Sequence, residues 1–82
     1  MSFNELMKKK LEFYKSKDKP IYFKLIESDN FRNGFIIEIG DDYMIIDEIE
    51  MGEIIVYYEE IQRDSIAESK HWKFKDGEKI SN

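Results

Sequence analysis

The stretch "FRNGFIIEIGDDYMII" at residues 31–46 decides the fold that we expect for this chain. Residues 31–39 and 43–46 are rich in isoleucine and aromatic side chains, which favour β-strands. The tripeptide between them, Gly-Asp-Asp at 40–42, has the composition of a tight turn. The stretch therefore predicts two antiparallel strands joined by a hairpin.

Further apolar runs on both sides of this hairpin predict more strands. Residues 21–27 (IYFKLIE) follow a proline, the third strand continues to residue 49, and residues 53–58 (EIIVYY) form a fourth run. Residues 59–66 fit a short turn and a fifth strand. Gly34 allows a sharp bend or a close backbone approach within the second strand. Five short antiparallel strands with tight turns predict a small, strongly bent barrel over residues 21–66.

The N-terminal segment has the period of a helix. Ser2 and Glu5 form a capping box, and the following apolar residues recur at helical spacing. Pro20 disfavours helix at the residue before it. We therefore expect an amphipathic helix over residues 3–16 and one mostly β domain over residues 1–82.

Charge is segregated along the chain. Residues 1–24 hold seven Lys and three acidic residues, residues 25–69 hold two Arg and thirteen Asp or Glu, and residues 70–82 hold four Lys and two acidic residues. The barrel is thus expected to be acidic, with a basic helix and a basic C-terminal tail. An acidic surface repels a nucleic-acid backbone, whose affinity for proteins arises largely from Lys and Arg. The tail alternates cationic residues with Trp72 and Phe74, so it could add a sixth strand, cover the barrel or dock on a neighbour.

Several classes of function are disfavoured by composition. The chain has no Cys and one His, His71, which excludes disulfides, Cys-based zinc sites and multi-His metal sites within one chain. His71 lies in the polar tail, away from any nucleophile motif, so we expect no catalytic site, no metal, no cofactor and no enzymatic activity. No signal peptide and no 18-residue apolar run occur, so we expect a cytoplasmic protein without a membrane partner.

A metal site is the alternative interpretation of the acidic residues in and near the turns. Its ligands would be the carboxylates that surround the third strand: Asp41, Asp42, Asp47, Glu48 and Glu50. Their spacing does not match an EF-hand loop, and alternation along a strand would place them on two faces. We therefore interpret Asp41 and Asp42 as turn residues.

The stretch "IYFKLIESDNFRNGFIIEIGDDYMII" at residues 21–46 resembles the first sequence motif of the Sm-like family, which includes bacterial Hfq and the archaeal and eukaryotic Sm proteins. With one extra residue allowed in the turn, the places of that motif are filled by Phe31, Gly34, Ile36, Ile39, Asp41 and Tyr43-Met44. The resemblance covers about residues 3–66. It implies an N-terminal helix, a five-stranded antiparallel SH3-like or Sm-like barrel, and assembly through exposed edge strands.

The RNA-binding residues of that family have no counterpart in this chain. Ile45 stands where the family has an asparagine that holds a nucleobase, and isoleucine offers no hydrogen bond to a base edge. "GEIIVYYEEI" lacks the Arg-Gly pair of the second motif, and the Tyr-Lys-His motif of Hfq is absent.

Apolar residues on both faces of two strands suggest an interface. Ile36 and Ile37 cannot both face one core, and the fourth strand has more apolar residues than one face holds. We therefore expect a non-enzymatic homo-oligomer that acts as an interaction or scaffold module. Its candidate self-association residues are Ile55, Tyr57, Tyr58, Trp72 and Phe74.

The alternative function is RNA binding by the basic helix together with exposed aromatic rings. Lysines would contact phosphates and the rings would stack on bases. The candidate contacts are Lys8, Lys9, Lys15, Tyr22 and Trp72.

Overall fold

A computed structural model describes residues 2–28 and 30–70 of the chain as one helix followed by a five-stranded antiparallel sheet. The elements are helix α1 (Phe3–Ser16) and strands β1 (Ile21–Lys24), β2 (Phe31–Ile39), β3 (Tyr43–Glu48), β4 (Gly52–Tyr57) and β5 (Ala67–Glu68). A 3₁₀ turn over Tyr58–Glu60 connects β4 to the segment before β5. His71 and the candidate residues Trp72 and Phe74 lie outside the described residues.

Helix α1 begins at the capping box that the sequence predicts. The N–H of Glu5 donates to Ser2 Oγ at 3.2 Å, and the N–H of Ser2 donates to Glu5 Oε1 at 2.8 Å. The bond from the N–H of Ser2 stabilises the ionised carboxylate and lowers the pKa of Glu5. Two residues of the helix itself, Met7 and Leu11, are buried.

The sheet is open, with strand order β4-β3-β2-β1-β5, so β4 and β5 are its two edges. A helix followed by this antiparallel sheet is consistent with an Sm-like topology. The expectation of a strongly bent barrel was wrong, because the sheet is neither closed nor strongly curled. A physical reason is the length of the last strand: β5 pairs with β1 through only two residues, Glu68 with Ile21 and Ala67 with Tyr22.

Residues 59–66, predicted to form a short turn and a fifth strand, form no regular strand. The 3₁₀ turn occupies the beginning of this segment, and Ile61 makes only an isolated bridge to Leu25. Ser65 then anchors the segment, because its Oγ accepts the N–H of Lys24 at 3.1 Å. Regular pairing with β1 resumes only at Ala67.

A β-bulge interrupts the pairing of β2 with β3. Ile36 lies opposite Ile46, but Glu38 lies opposite Ile45, so Ile37 is the extra residue. Ile36 is buried and Ile37 is exposed. The prediction that these two isoleucines cannot share one core is confirmed.

Gly34 permits a close approach between β2 and β3. A Cβ atom at this position would lie 2.7 Å from the carbonyl oxygen of Asp47. The glycine thus serves the second of its two predicted roles, because the strands here pair too closely for any side chain.

The core lies on the helix side of the sheet. It consists of Met7, Leu11, Ile21, Phe23, Ile36, Met44, Ile46, Val56, Tyr58, Ile61 and Ile66. Strand residues that alternate with these point to the opposite side, which we call the outer face. Within the described residues, no helix is long and apolar enough to cross a membrane.

Candidate functional site

Within residues 2–28 and 30–70, strand β4 is an edge of the sheet with one side of its backbone unpaired. Its residues pair directly with β3, from Tyr43 opposite Tyr57 to Glu48 opposite Gly52. The N–H of Tyr58 donates to the carbonyl of Asp42 at 2.9 Å, which extends the same register by one hydrogen-bonded pair. In an antiparallel ladder such pairs alternate with non-hydrogen-bonded ones. The even-numbered residues of β4 therefore bond to β3, and the odd-numbered ones direct their backbone groups away from it.

Three residues of β4 have outward backbone groups: Glu53, Ile55 and Tyr57. The N–H of Tyr57 is satisfied by Glu60, whose Oε1 accepts it at 3.1 Å. The N–H groups of Glu53 and Ile55 have no partner within residues 2–28 and 30–70. Two donors and three carbonyl acceptors are therefore available to an added strand.

Apolar side chains accompany this edge on the outer face. Ile55 and Tyr57, two of the candidate self-association residues, have exposed fractions of 57% and 44%. Ile55 lies opposite Ile45, and the ring of Tyr57 lies 6.5 Å from that of Tyr43. The result is an apolar strip along the free edge.

The strip is bordered by negative charge. Residues 33–62 contain nine Asp or Glu and neither Lys nor Arg. Tyr43 Oη donates to Glu38 Oε2 at 2.6 Å, and this hydrogen bond to a carboxylate raises the pKa of Tyr43. Lysine and proline, which commonly protect edge strands from pairing, are absent from β4.

Tyr58 does not belong to this surface. It was predicted to be available for self-association, but it is fully buried because it follows Val56 by two residues and so lies on the same, core side, with its N–H still bonded to Asp42. Its Oη donates to the carbonyl of Gly40 at 2.6 Å. Burial raises the pKa of Tyr58 to about 12. Its role is in the core.

The turn between β3 and β4 was predicted, but the sequence analysis missed the side chain that anchors it. The buried carboxylate of Glu48 accepts the N–H groups of Glu50 and Met51 at 3.0 and 2.8 Å. The N–H of Ile49 donates to the carbonyl of Asn33 at 2.9 Å. Ile49 and Met51 nevertheless remain exposed. The alternation of apolar and acidic residues in "DEIEMGE" was the signal for an exposed apolar turn.

The candidate nucleic-acid contacts are not brought together. Lys8 donates to Asp41 at 2.8 Å, which raises the pKa of Lys8 and lowers that of Asp41. Lys9 and Lys15 are exposed on the helix. Tyr22 lies on the outer face, where its ring contacts Phe31 edge to face at 5.2 Å. The helix packs on the opposite side of the sheet, so the lysines and Tyr22 form no common surface.

The alternative of a metal site built from acidic residues gains no support from the arrangement of those residues. Asp47 pairs with Glu53 on the outer face, whereas Glu48 is buried on the core side. Asp41 is engaged by Lys8. Within residues 2–28 and 30–70, no group of three or more His, Cys, Asp or Glu side chains is arranged to hold a metal ion.

No protein-family model, curated protein or solved structure matches this chain.

Proposed function

We propose that this protein is a non-enzymatic, Sm-like interaction module that self-associates by adding a strand of another copy to β4. The observation that carries the proposal is the edge of β4, where Glu53 and Ile55 direct amides outward that no other described residue bonds, beside exposed apolar side chains. Such an edge pairs readily with an extended segment of another chain.

Charge favours the opposite edge of the sheet as the partner of β4. Two copies of β4 would bring Glu53 and the neighbouring acidic residues together, and like charges across a sheet are destabilising. The other edge, β5, contains one acidic residue, Glu68, which is engaged by Lys19 at 3.4 Å, and it is followed in sequence by residues 70–82, which carry four Lys and two acidic residues. Pairing of β4 with the β5 edge of a neighbour would continue the sheet from copy to copy, as expected of an Sm-like oligomer.

The experiment uses a proline to remove one outward donor. Since the N–H of Ile55 points away from β3, Ile55→Pro removes no hydrogen bond within the sheet, and proline is tolerated at such edge positions. We expect the wild-type chain to elute as an oligomer in light scattering behind a sizing column, and Ile55→Pro to elute as a folded monomer. A wild-type chain that stays monomeric at all concentrations would refute the proposal.

Two variants control for fold and for surface polarity. Ile54→Pro removes an N–H that bonds to β3, so it should unfold the sheet and confirm the assigned hydrogen-bond alternation. Ile26→Lys adds a charge at an exposed isoleucine outside the strands, whereas Ile55→Lys adds it at the edge. Of these two lysine variants, only Ile55→Lys should shift the oligomer towards monomer.

RNA binding remains the second candidate, supported by one observation on the outer face. Tyr22 and the exposed ring of Phe31 contact each other and, with Asn33, Glu68 and Lys70, line a cavity. Aromatic rings beside a cation are a platform on which single-stranded bases stack. Binding of a short single-stranded RNA should fall steeply with salt and be lost in Phe31→Ala. An absence of binding at low salt would refute it.

A further inference from the structure

A groove lies between the first half of α1 and the segment before β5. It has a volume of about 410 Å³, within the size range of ligand-binding clefts. Its lining residues are Phe3, Leu6, Met7, Lys10, Arg63, Asp64 and Ile66.

The groove combines an apolar surface with positive charge. Leu6 is 56% exposed although it lies on the apolar side of the helix. The guanidinium of Arg63 stacks over the ring of Phe3, with its central carbon 4.9 Å from the ring centre. Lys10 is exposed beside them. Lys10 and Arg63 outnumber the one carboxylate of the lining, Asp64, so the groove is cationic in a chain that is acidic as a whole.

The β3–β4 turn has the complementary composition. Met51 is 57% exposed and Ile49 is 39% exposed, and Glu50 lies between them. The hydrogen bonds that Glu48 accepts hold this turn in one conformation. A turn that is ordered before binding loses little conformational freedom when it docks.

We propose that the groove binds the β3–β4 turn of a second copy of this chain. Met51 and Ile49 would pack against Leu6 and the apolar lining, and Glu50 would face Lys10. The inference rests on the proposed function, because it adds a second contact to the same self-association. The contact also determines which edges meet, β4 of one copy and β5 of the next, because the groove lies next to the β5 edge and the turn adjoins the β4 edge.

Charge reversal on each side of this contact tests it. Lys10→Glu and Glu50→Lys each place like charges in the interface, so each should weaken self-association at least tenfold in sedimentation or light scattering. Mixing the two single variants should restore association, because each then offers the surface that the other requires. The double variant Lys10→Glu/Glu50→Lys should associate nearly as well as the wild type.

Matched controls lie on the same elements or carry the same charge. Lys9→Glu reverses an exposed charge of α1 outside the groove lining, and Glu27→Lys reverses an exposed acidic residue far from the turn in sequence. Both should associate like the wild type. Leu6→Ser should weaken association without changing the net charge. Circular dichroism of each variant verifies that it is folded.

Each alternative outcome overturns the inference in a recognisable way. If Ile55→Pro abolishes association but Lys10→Glu does not weaken it, the edge proposal stands and the groove contact is wrong. If the wild type does not associate at all, both are wrong. Dodecanoate is the probe for a different ligand. If it binds the wild type, and if Lys10→Glu weakens this binding without weakening self-association, the groove is a site for small apolar anions instead.

Discussion

The carboxylate of Glu60 accepts the N–H of Tyr57 at 3.1 Å, so one side chain occupies the last outward donor of β4. Glu60→Ala frees this amide for an added strand. A net hydrogen bond contributes about 0.5–1.5 kcal/mol, so we expect self-association to tighten between about twofold and tenfold. Sedimentation over a range of concentrations measures the change. Glu59→Ala removes the same charge without freeing an amide, and equal tightening in this control would attribute the effect to charge alone.

Gly34 tolerates no side chain where β2 passes β3. The carbonyl of Asp47 would lie 2.7 Å from an added Cβ, and a backbone oxygen in a sheet cannot move away easily. Gly34→Ala should lower the free energy of unfolding by about 2–3 kcal/mol, as measured by urea denaturation. Gly52→Ala is the control, since its Cβ would meet no atom within 4 Å although its φ of +77° is unfavourable for alanine. A loss of only about 1 kcal/mol is expected there. Equal losses would contradict the close approach.

The phenol of Tyr58 makes stability depend on pH above neutrality. Burial raises its pKa from 10.0 to about 12 in the folded chain. Between these values the unfolded chain releases the proton and the folded chain retains it, so the free energy of unfolding falls as the pH rises. The contribution is fully present below pH 10. Tyr58→Phe should show a shallower fall over this window in urea denaturation series.

The same substitution has a cost at neutral pH. Tyr58→Phe leaves the carbonyl of Gly40 without the phenol donor that lies 2.6 Å away, so about 1 kcal/mol of stability should be lost at pH 7. Tyr57→Phe alters an exposed phenol and should leave both properties unchanged. A Tyr58→Phe curve parallel to that of the wild type above pH 10 would show that the phenol is not buried.

The helix N-terminus depends on the reciprocal bonds between Ser2 and Glu5. Ser2→Ala leaves the N–H of Glu5 without its side-chain acceptor and should cost about 1 kcal/mol in urea denaturation. Ser2→Thr keeps a hydroxyl at the cap and should retain most of the stability. If alanine and threonine behave alike, the cap contributes nothing measurable.

Local patterns were sufficient to predict the elements whose signals are local. The capping box of Ser2 fixed the start of α1, and the hairpin around Asp41 and Asp42 fixed β2 and β3. Alternation also predicted that the apolar residues of the fourth strand occupy both faces, and Val56 is buried whereas Ile55 and Tyr57 are exposed.

The end of the sheet depends on long-range packing and could not be predicted in this way. A 3₁₀ turn follows β4, and Ile61 then makes only an isolated bridge to Leu25. The position of β5 is set by pairing with Ile21 and Tyr22, far away in sequence. The groove beside Arg63 likewise arises only when this segment packs against α1.

The bulge at Ile37 makes β2 one residue longer than its partner requires. On either side of it, the pairing of β2 with β3 is regular, but the two halves differ in register by one residue. Removal of Ile37 would merge them into one uninterrupted ladder with Ile36 and Ile39 still facing the core. Removal of Phe35 instead would turn the residues before it to the wrong side of the sheet. Position 37 is therefore a place where evolution can insert or delete one residue without changing which side chains of β2 face the core.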